Sequence, residues 1–248
     1  MNYPGGKSGS GVYQWIINQI PPHETYVEGF LGGGSILRLK RPAVASIAMD
    51  ADAAVVARFA GHGAAWGIPN LTVLHGDALA WLSENKSRLG PETFVYLDPP
   101  YLMETRSSKR EIYAYEMSDD DHRRLLDIIR DLRCRVAISG YWSGMYNEAL
   151  ADWRPSTFQT MTRGGTPATE YLWMNYPQPV ALHDYRYLGV DFRERERIKR
   201  KKTRWVERLK TMPDAERYAV LAAIDELTRP VGLVEFDAAS SASLFPAF

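Results

Sequence analysis

Residues 93–103 read TFVYLDPPYLM, and this stretch governs how the rest of the chain is read. A run of apolar, strand-forming residues stops at Asp98. Proline cannot donate to a sheet ladder, so Pro99 ends the strand there. Each of Pro99 and Pro100 fixes its own φ and restricts the residue before it, which stiffens the turn. The pattern predicts a carboxylate, Asp98, and an aromatic ring, Tyr101, held in a rigid loop at the carboxyl end of a strand.

Outward from that loop the sequence alternates. Further strand-like runs are YVEGF (26–30), VASIAMD (44–50), LTVLHGD (71–77) and RVAISG (135–140). Helical candidates lie between them: after GGGS near Ser35, over 52–60 and over 78–89. The clearest begins at Ser118 in SDDDHRRLLDIIRDLR. Ser118 can cap it, three aspartates suit the positive helix end, and Leu125, Ile128, Ile129 and Leu132 mark one apolar face. Strands alternating with helices predict an α/β fold, with a mostly parallel sheet covered on both faces. Ligands of such sheets bind beyond the carboxyl ends of the strands. After Gly140 the runs STFQTMT (156–162) and EYLWMNY (170–176) predict an antiparallel hairpin closing the sheet. A domain of residues 1–181 followed by a basic helical tail, 182–248, is the expected division.

At 248 residues and 45% hydrophobic, the chain suits one medium domain with a small appendage. The single cysteine, Cys134, excludes an internal disulfide framework and fits a reducing cytoplasm; its setting reads as the approach to a buried strand. No apolar run is long enough to span a membrane, and the N-terminus lacks a signal-peptide pattern, so a cytoplasmic location is expected. The five histidines are scattered without metal-ligand spacing, and no metal is expected. Formal net charge is zero, yet residues 193–210 hold ten Lys or Arg against three Glu. Such a local patch can meet a polyanion whatever the total.

YPGGKSGSG at residues 3–11 fails as a phosphate loop, because the spacing would need glycine where Met1 stands. FLGGGS (30–35) has the better context, after a strand and opening a helix. Glycines there let a ligand approach the backbone closely, although a plain tight turn would look the same. Asp50 ends the next strand, where an acidic residue commonly takes ribose hydroxyls. Glu28, Asp50, Asp77 and Asp98 all fall at or near the ends of their strands. Any one of them could be an ordinary post-strand residue, but four at one sheet edge suggest a site for a nucleoside-bearing ligand. A nicotinamide enzyme would satisfy this much and leave the prolines after Asp98 unexplained.

YPGGK (3–7), EGFLGGGS (28–35), Asp50 and DPPY (98–101), in that order, resemble the Dam-type DNA adenine N6-methyltransferases. The resemblance covers about residues 3–176 and implies a Rossmann-like, S-adenosyl-L-methionine-dependent methyltransferase. It implies that Tyr3, Pro4, Gly5, Gly6 and especially Lys7 contact the methionine end of the cofactor. The backbone of Phe30, Gly32, Gly34 and Ser35 would pass close by, with Glu28 near. Asp50 would take the ribose hydroxyls, and Asp77 with Ala78 would lie against the cofactor's adenine ring. Asp98, Pro99, Pro100 and Tyr101 would hold the target base. An adenine amino group is a poor nucleophile because its lone pair is delocalised into the ring. Accepting both amino protons, on the Asp98 carboxylate and the Pro99 carbonyl, draws the nitrogen toward tetrahedral geometry. Rigid placement then supplies much of the rate. The base must be flipped out of the duplex, and Tyr101 is a natural stacking partner.

Only 62 residues separate Ser35 from Asp98, too few for the recognition region that the Dam-type arrangement carries there. Expected contacts to double-stranded DNA therefore lie elsewhere. Arg106, Lys109, Arg110 and Tyr113 follow the DPPY motif, Arg163 sits in the hairpin turn, and Lys199, Arg200, Lys201, Lys202 and Arg204 lie in the tail. A solvated loop and a solvated helix are the alternatives for the first and last groups. Helix charges spread around the circumference give salt-dependent, largely sequence-independent affinity, and a short or relaxed recognition site is expected. RNA as the polymer, or a relic that binds DNA without catalysis, remain the alternatives. A restriction endonuclease partner, phage genome protection and stand-alone regulation all fit, and the sequence leaves the oligomeric state open.

Overall fold

A computed structural model describes residues 6–9, 11–106, 112–161 and 165–228. Helix α1 (Val12–Ile17) precedes strand β1 (Thr25–Glu28), and α2 (Ser35–Leu39) leads to β2 (Ala45–Asp50). Then follow α3 (Ala53–Phe59), β3 (Leu71–His75), α4 (Ala78–Asn85), β4 (Thr93–Leu97), α5 (Asp119–Arg130) and β5 (Arg135–Gly140). Helix α6 (Gly144–Ala149) precedes the hairpin β6 (Arg154–Met161) and β7 (Pro167–Met174), and α7 (Phe192–Lys210) and α8 (Asp214–Thr228) end the described chain. One sheet holds all seven strands in the order β3-β2-β1-β4-β5-β7-β6. The first five are parallel, and β7 runs antiparallel to both β5 and β6.

The alternation along the strands explains why helices cover both faces. In β4, Phe94 and Tyr96 join one core with Ile16 and Ile17 of α1, Leu37 of α2 and Phe59 of α3. Val95 and Leu97 join the other with Leu82 of α4, Leu125 and Ile129 of α5 and Tyr146 of α6. All five residues of β4 are buried, which is why this strand reads as a continuous apolar run rather than an alternating one. Full burial of such side chains stabilises by about 1.5–3 kcal/mol each relative to exposure.

Ser118 caps α5 as expected, accepting from the Asp121 backbone N–H while Asp121 reaches back to the Ser118 N–H. The buried face of α5 is wider than expected, since it takes in His122 and Leu126 while Ile128 stays half-buried. His122 survives there because its Nδ1 lies 2.9 Å from the Tyr146 hydroxyl.

By its contacts the chain divides between Ile198 and Lys199, further along than the expected boundary at 182. The reason is a strap of polar bonds. His183 donates its backbone N–H to the Ile20 carbonyl at 2.9 Å, and Asp184 accepts the Arg41 backbone N–H at 2.8 Å. Tyr187 donates its hydroxyl to the Leu39 carbonyl at 3.2 Å. Past the division, Lys199, Arg200, Lys201, Lys202 and Arg204 are all exposed on α7. No described helix is long and apolar enough to cross a membrane.

Candidate active site

The strand order reverses between β1 and β4, and their carboxyl ends open onto a cavity of about 300 Å³. This is where parallel α/β sheets place ligands. Gly6, Lys7, Glu28, Phe30, Gly32, Gly34, Ser35, Asp50, Asp77, Ala78 and Asp98 all line it. The structure thus collects into one space the described residues expected to hold a cofactor. Tyr3, Pro4 and Gly5 lie outside the described residues.

One end of the cavity is built on the glycine loop. Gly34 precedes α2 in the left-handed region, at φ +58°, and a Cβ there would sit 2.5 Å from the Phe59 ring. Glycine alone satisfies both conditions. Gly34→Ala is expected to destabilise the fold by roughly 2–4 kcal/mol, the sum of left-handed strain and overpacking. Urea denaturation measures it.

Asp50 ties the loop to the sheet. One oxygen accepts the Gly32 N–H at 2.8 Å and the other the Asp52 N–H at 2.9 Å. Each oxygen keeps a lone pair for a ligand hydroxyl. Burial raises the Asp50 pKa, and the two backbone bonds oppose that. Asp77 accepts the Leu79 N–H at 2.9 Å and so caps α4, a structural duty beside its place in the cavity wall.

Glu28 is fully enclosed at the end of β1. Its Oε2 accepts both the Tyr26 hydroxyl at 2.7 Å and the Leu37 N–H at 3.0 Å. Burial lifts its pKa from the ordinary carboxylate range to about 8, Asp98 adds to this, and the Tyr26 bond and Lys40 oppose it. A raised folded-state pKa contributes stability that is complete below the unfolded value and lost as pH rises through about 8. Glu28→Gln keeps the acceptor oxygen and removes this dependence. The melting temperature of the variant relative to the wild type should therefore climb between pH 5 and pH 9.

The other end centres on Asp98. Lys7 Nζ donates to both carboxylate oxygens, at 2.8 and 2.7 Å, and lies 3.5 Å from Glu170. Ser139, near the end of β5, donates to Asp98 Oδ1 at 2.7 Å. Tyr96 lies 3.2 Å from that same serine hydroxyl. The Tyr101 hydroxyl donates to Glu170 at 2.7 Å and lies 3.3 Å from Asp98 Oδ1. The Tyr101 ring meets Tyr141 edge-on, at 4.7 Å between centroids. Burial raises the Asp98 pKa against the pull of Lys7. For Lys7 burial works downward, but Asp98 and Glu170 outweigh it and hold the ammonium charged. Buried Lys7 and Glu170 and half-buried Asp98 thus sum to one net negative charge, a suitable setting for a cationic sulfonium.

The loop after the DPPY motif differs from expectation at Arg106. Instead of facing a phosphate, Arg106 is buried, donating through Nε to the Tyr101 carbonyl and through NH1 to Glu116 at 2.8 Å. Glu116 also accepts the backbone N–H groups of Ile112 and Tyr113, so the pair staples the loop back onto the motif. Tyr113, expected among the contacts to DNA, lines the cavity with the Arg106 guanidinium over its ring. Lys109, Arg110 and Arg163 lie outside the described residues.

Ser139, Glu170 and Tyr141 were not foreseen. Ser139 and Glu170 are polar residues inside apolar strands, which is a signal for a site. The pairing of β4 with β5 brings Ser139 to Asp98, and the pairing of β5 with the antiparallel β7 brings Glu170.

A parallel sheet wound on both faces and closed by one antiparallel hairpin is the Rossmann-like fold of S-adenosylmethionine-dependent methyltransferases. Residues 71–160 match the family described as D12 class N6 adenine-specific DNA methyltransferase, the kind of enzyme the motifs resemble. That match supports methyl transfer as the chemistry. No curated protein gives a significant sequence match. Among solved structures, SMU.776, described as a methyltransferase complexed with SAH, is similar at 11% identity and a TM-score of 0.48, over 68% of this chain and 49% of its own. A precorrin 8W decarboxylase of Methanobacterium thermoautotrophicum is similar at 15% identity and 0.46, over 71% and 94%. YhhF of Escherichia coli, described as a methyltransferase, is similar at 16% identity and 0.45, over 70% and 90%.

Proposed function

We propose that this protein transfers a methyl group from S-adenosylmethionine to the N6 amino group of a flipped-out adenine in DNA. The observation that carries the proposal is the setting of Asp98. Its carboxylate is clamped by Lys7 and Ser139 at the end of a buried strand, facing the cavity that the glycine loop opens.

The cavity's donor set fits the cofactor. Asp50 offers free lone pairs to a ribose, the glycine loop leaves room for a chain to lie on its backbone, and Ala78 with Leu79 offers an apolar wall. S-adenosylmethionine supplies an electrophilic methyl group on a sulfonium. The protein's part is to prepare the acceptor. Asp98 Oδ1 is occupied by Lys7 and Ser139, whereas Oδ2 takes one described bond, from Lys7, and keeps a lone pair toward a substrate. That oxygen and the Pro99 carbonyl accept the two amino protons, which frees the nitrogen lone pair. The N–C bond forms as the S–C bond breaks, and one amino proton leaves through Asp98. The Tyr101 ring, expected as the stacking partner, is buried with Lys7 Nζ 5.1 Å from its centroid, and Pro100 lines the cavity.

The exposed cations of α7 suit phosphate contacts of little sequence preference, and Tyr115 and Trp142, 56% and 55% exposed, suit stacking. The recognition site is accordingly short or relaxed.

The test is single-molecule sequencing of plasmid DNA from a methylase-deficient host expressing the chain. Tritium transfer from labelled S-adenosylmethionine to matched DNA and RNA oligonucleotides runs beside it. Modified adenine in DNA is the expected result. Label in RNA alone, or cofactor binding with no transfer, would overturn the assignment to DNA. A long, strictly required recognition sequence would refute the relaxed specificity.

A further inference from the structure

We propose that Glu170 is a positioning residue for Tyr101 and Lys7, setting the clamp from outside the motif that forms it. This rests on the methyl-transfer reading above. Glu170 stands on β7, ten residues beyond the segment that matches the adenine-methyltransferase family. It is 7% exposed, at the point where β7 passes from its exposed start into its buried half. A buried carboxylate is costly unless its oxygens are satisfied, and here each has a partner. Oε2 accepts the Tyr101 hydroxyl at 2.7 Å, and Oε1 accepts the Thr160 hydroxyl at 3.0 Å. Lys7 Nζ stands 3.5 Å from Oε2.

The geometry points to two effects. The first concerns one proton. Tyr101 has a single hydroxyl hydrogen and two carboxylates within reach, Glu170 at 2.7 Å and Asp98 at 3.3 Å. Burial and both carboxylates hold the phenol protonated, so it acts as a donor. Glu170 takes that hydrogen in the shorter bond, which keeps it off Asp98 and leaves the Asp98 lone pairs to Lys7, Ser139 and the substrate. The second effect concerns the ring. Tyr101 is fixed by its rigid backbone, by the edge contact with Tyr141 and, through Glu170, at its far tip. Held there, the ring cannot swing, and the loop that carries Asp98 and Pro100 is set before a substrate arrives. Thr160 on β6 fixes Glu170 in turn, so the hairpin supports the catalytic loop.

A double-mutant cycle separates this from a merely structural role. Glu170→Ala and Tyr101→Phe are each expected to lower kcat about 10- to 100-fold, the range for a positioned hydrogen-bonding group. The dissociation constant for S-adenosylmethionine should change less than about twofold in Tyr101→Phe, which leaves the charges around Lys7 in place. Because both changes break the same bond, the double variant should be no slower than the slower single one. Glu170→Gln retains an acceptor for the hydroxyl and should recover most of the lost kcat. Losses that multiply in the double variant would overturn the proposal, as would a Gln variant as slow as the Ala variant. Tyrosine labelled with ¹³C at Cζ gives a readout independent of turnover, with the Tyr101 resonance assigned by its loss in Tyr101→Phe. A Tyr101 shift unchanged by Glu170→Gln and Glu170→Ala would also sink the idea. If the wild-type protein transfers no methyl to DNA, the function proposal fails on that result, while the resonance still decides whether Glu170 holds Tyr101.

Discussion

Replacing Asp98 with alanine is expected to lower methyl transfer by about 10³-fold or more while the protein still binds S-adenosylmethionine. The size follows from what the side chain does. No strong base is available to the amino nitrogen, so the rate depends on a fixed acceptor that draws its protons. Asp98 is fixed by two donors at once, Lys7 and Ser139. Alanine removes the acceptor and leaves the Asp50 end of the cavity untouched, because Asp50 and the glycine loop make their bonds at the ends of β2 and β1. Calorimetric titration with the cofactor and radiolabel transfer to DNA measure the two halves separately. An active alanine variant would remove Asp98 from the mechanism, and loss of cofactor affinity together with transfer would show a collapsed site instead.

Lys7→Met should be the most damaging change to stability in the site. It keeps an apolar stem of similar length and deletes the ammonium that faces two carboxylates. Glu170 is 7% exposed, so the charge stranded on it cannot escape into water, and Asp98, 19% exposed, escapes only in part. Breaking a buried ion pair from one side typically costs about 3–5 kcal/mol. The cost depends on pH in a definite direction. Burial already raises the Asp98 pKa against the pull of Lys7, and loss of that pull raises it further. A group whose folded-state pKa is raised stabilises fully below its unfolded value, and this stabilisation is lost as pH rises through the folded value. The Met variant should therefore be closer to wild type at pH 5 than at pH 8 in urea denaturation. Its residual activity, which needs Asp98 ionised, should peak at a more alkaline pH than that of the wild type. A loss of stability equal at both values would contradict the buried pairing.

Much of the architecture was legible in the residues. The strands at 93–98 and 135–140 were readable because a strand covered on both faces must be apolar almost throughout, and those at 44–50 and 71–77 because each run of strand formers ends at an aspartate. The α5 cap was readable because a serine three residues before an aspartate satisfies two helix-end donors by local geometry alone. Helices α1 and α6 escaped notice because each has only six residues, too short to show a period. Arg106 was misread for a different reason. A cation in a polar loop looks the same in sequence whether it meets solvent, a phosphate or Glu116, ten residues on.

The sequence by itself determined the winding of the sheet, the glycine loop and the clustering of acidic residues at strand ends, since these depend on period, punctuation and local bonds. Only the tertiary structure decided what surrounds Asp98. Lys7 lies 91 residues before it, Ser139 lies 41 after it, and Glu170 approaches Tyr101 from 69 residues away. Ser139 and Glu170 meet Asp98 and Tyr101 because β4 pairs with β5 and β5 pairs with the inverted β7, and strand order leaves no trace in local pattern. Burial then turns their meeting into chemistry, because a charge removed from water must find its partner among the residues the sheet has brought beside it.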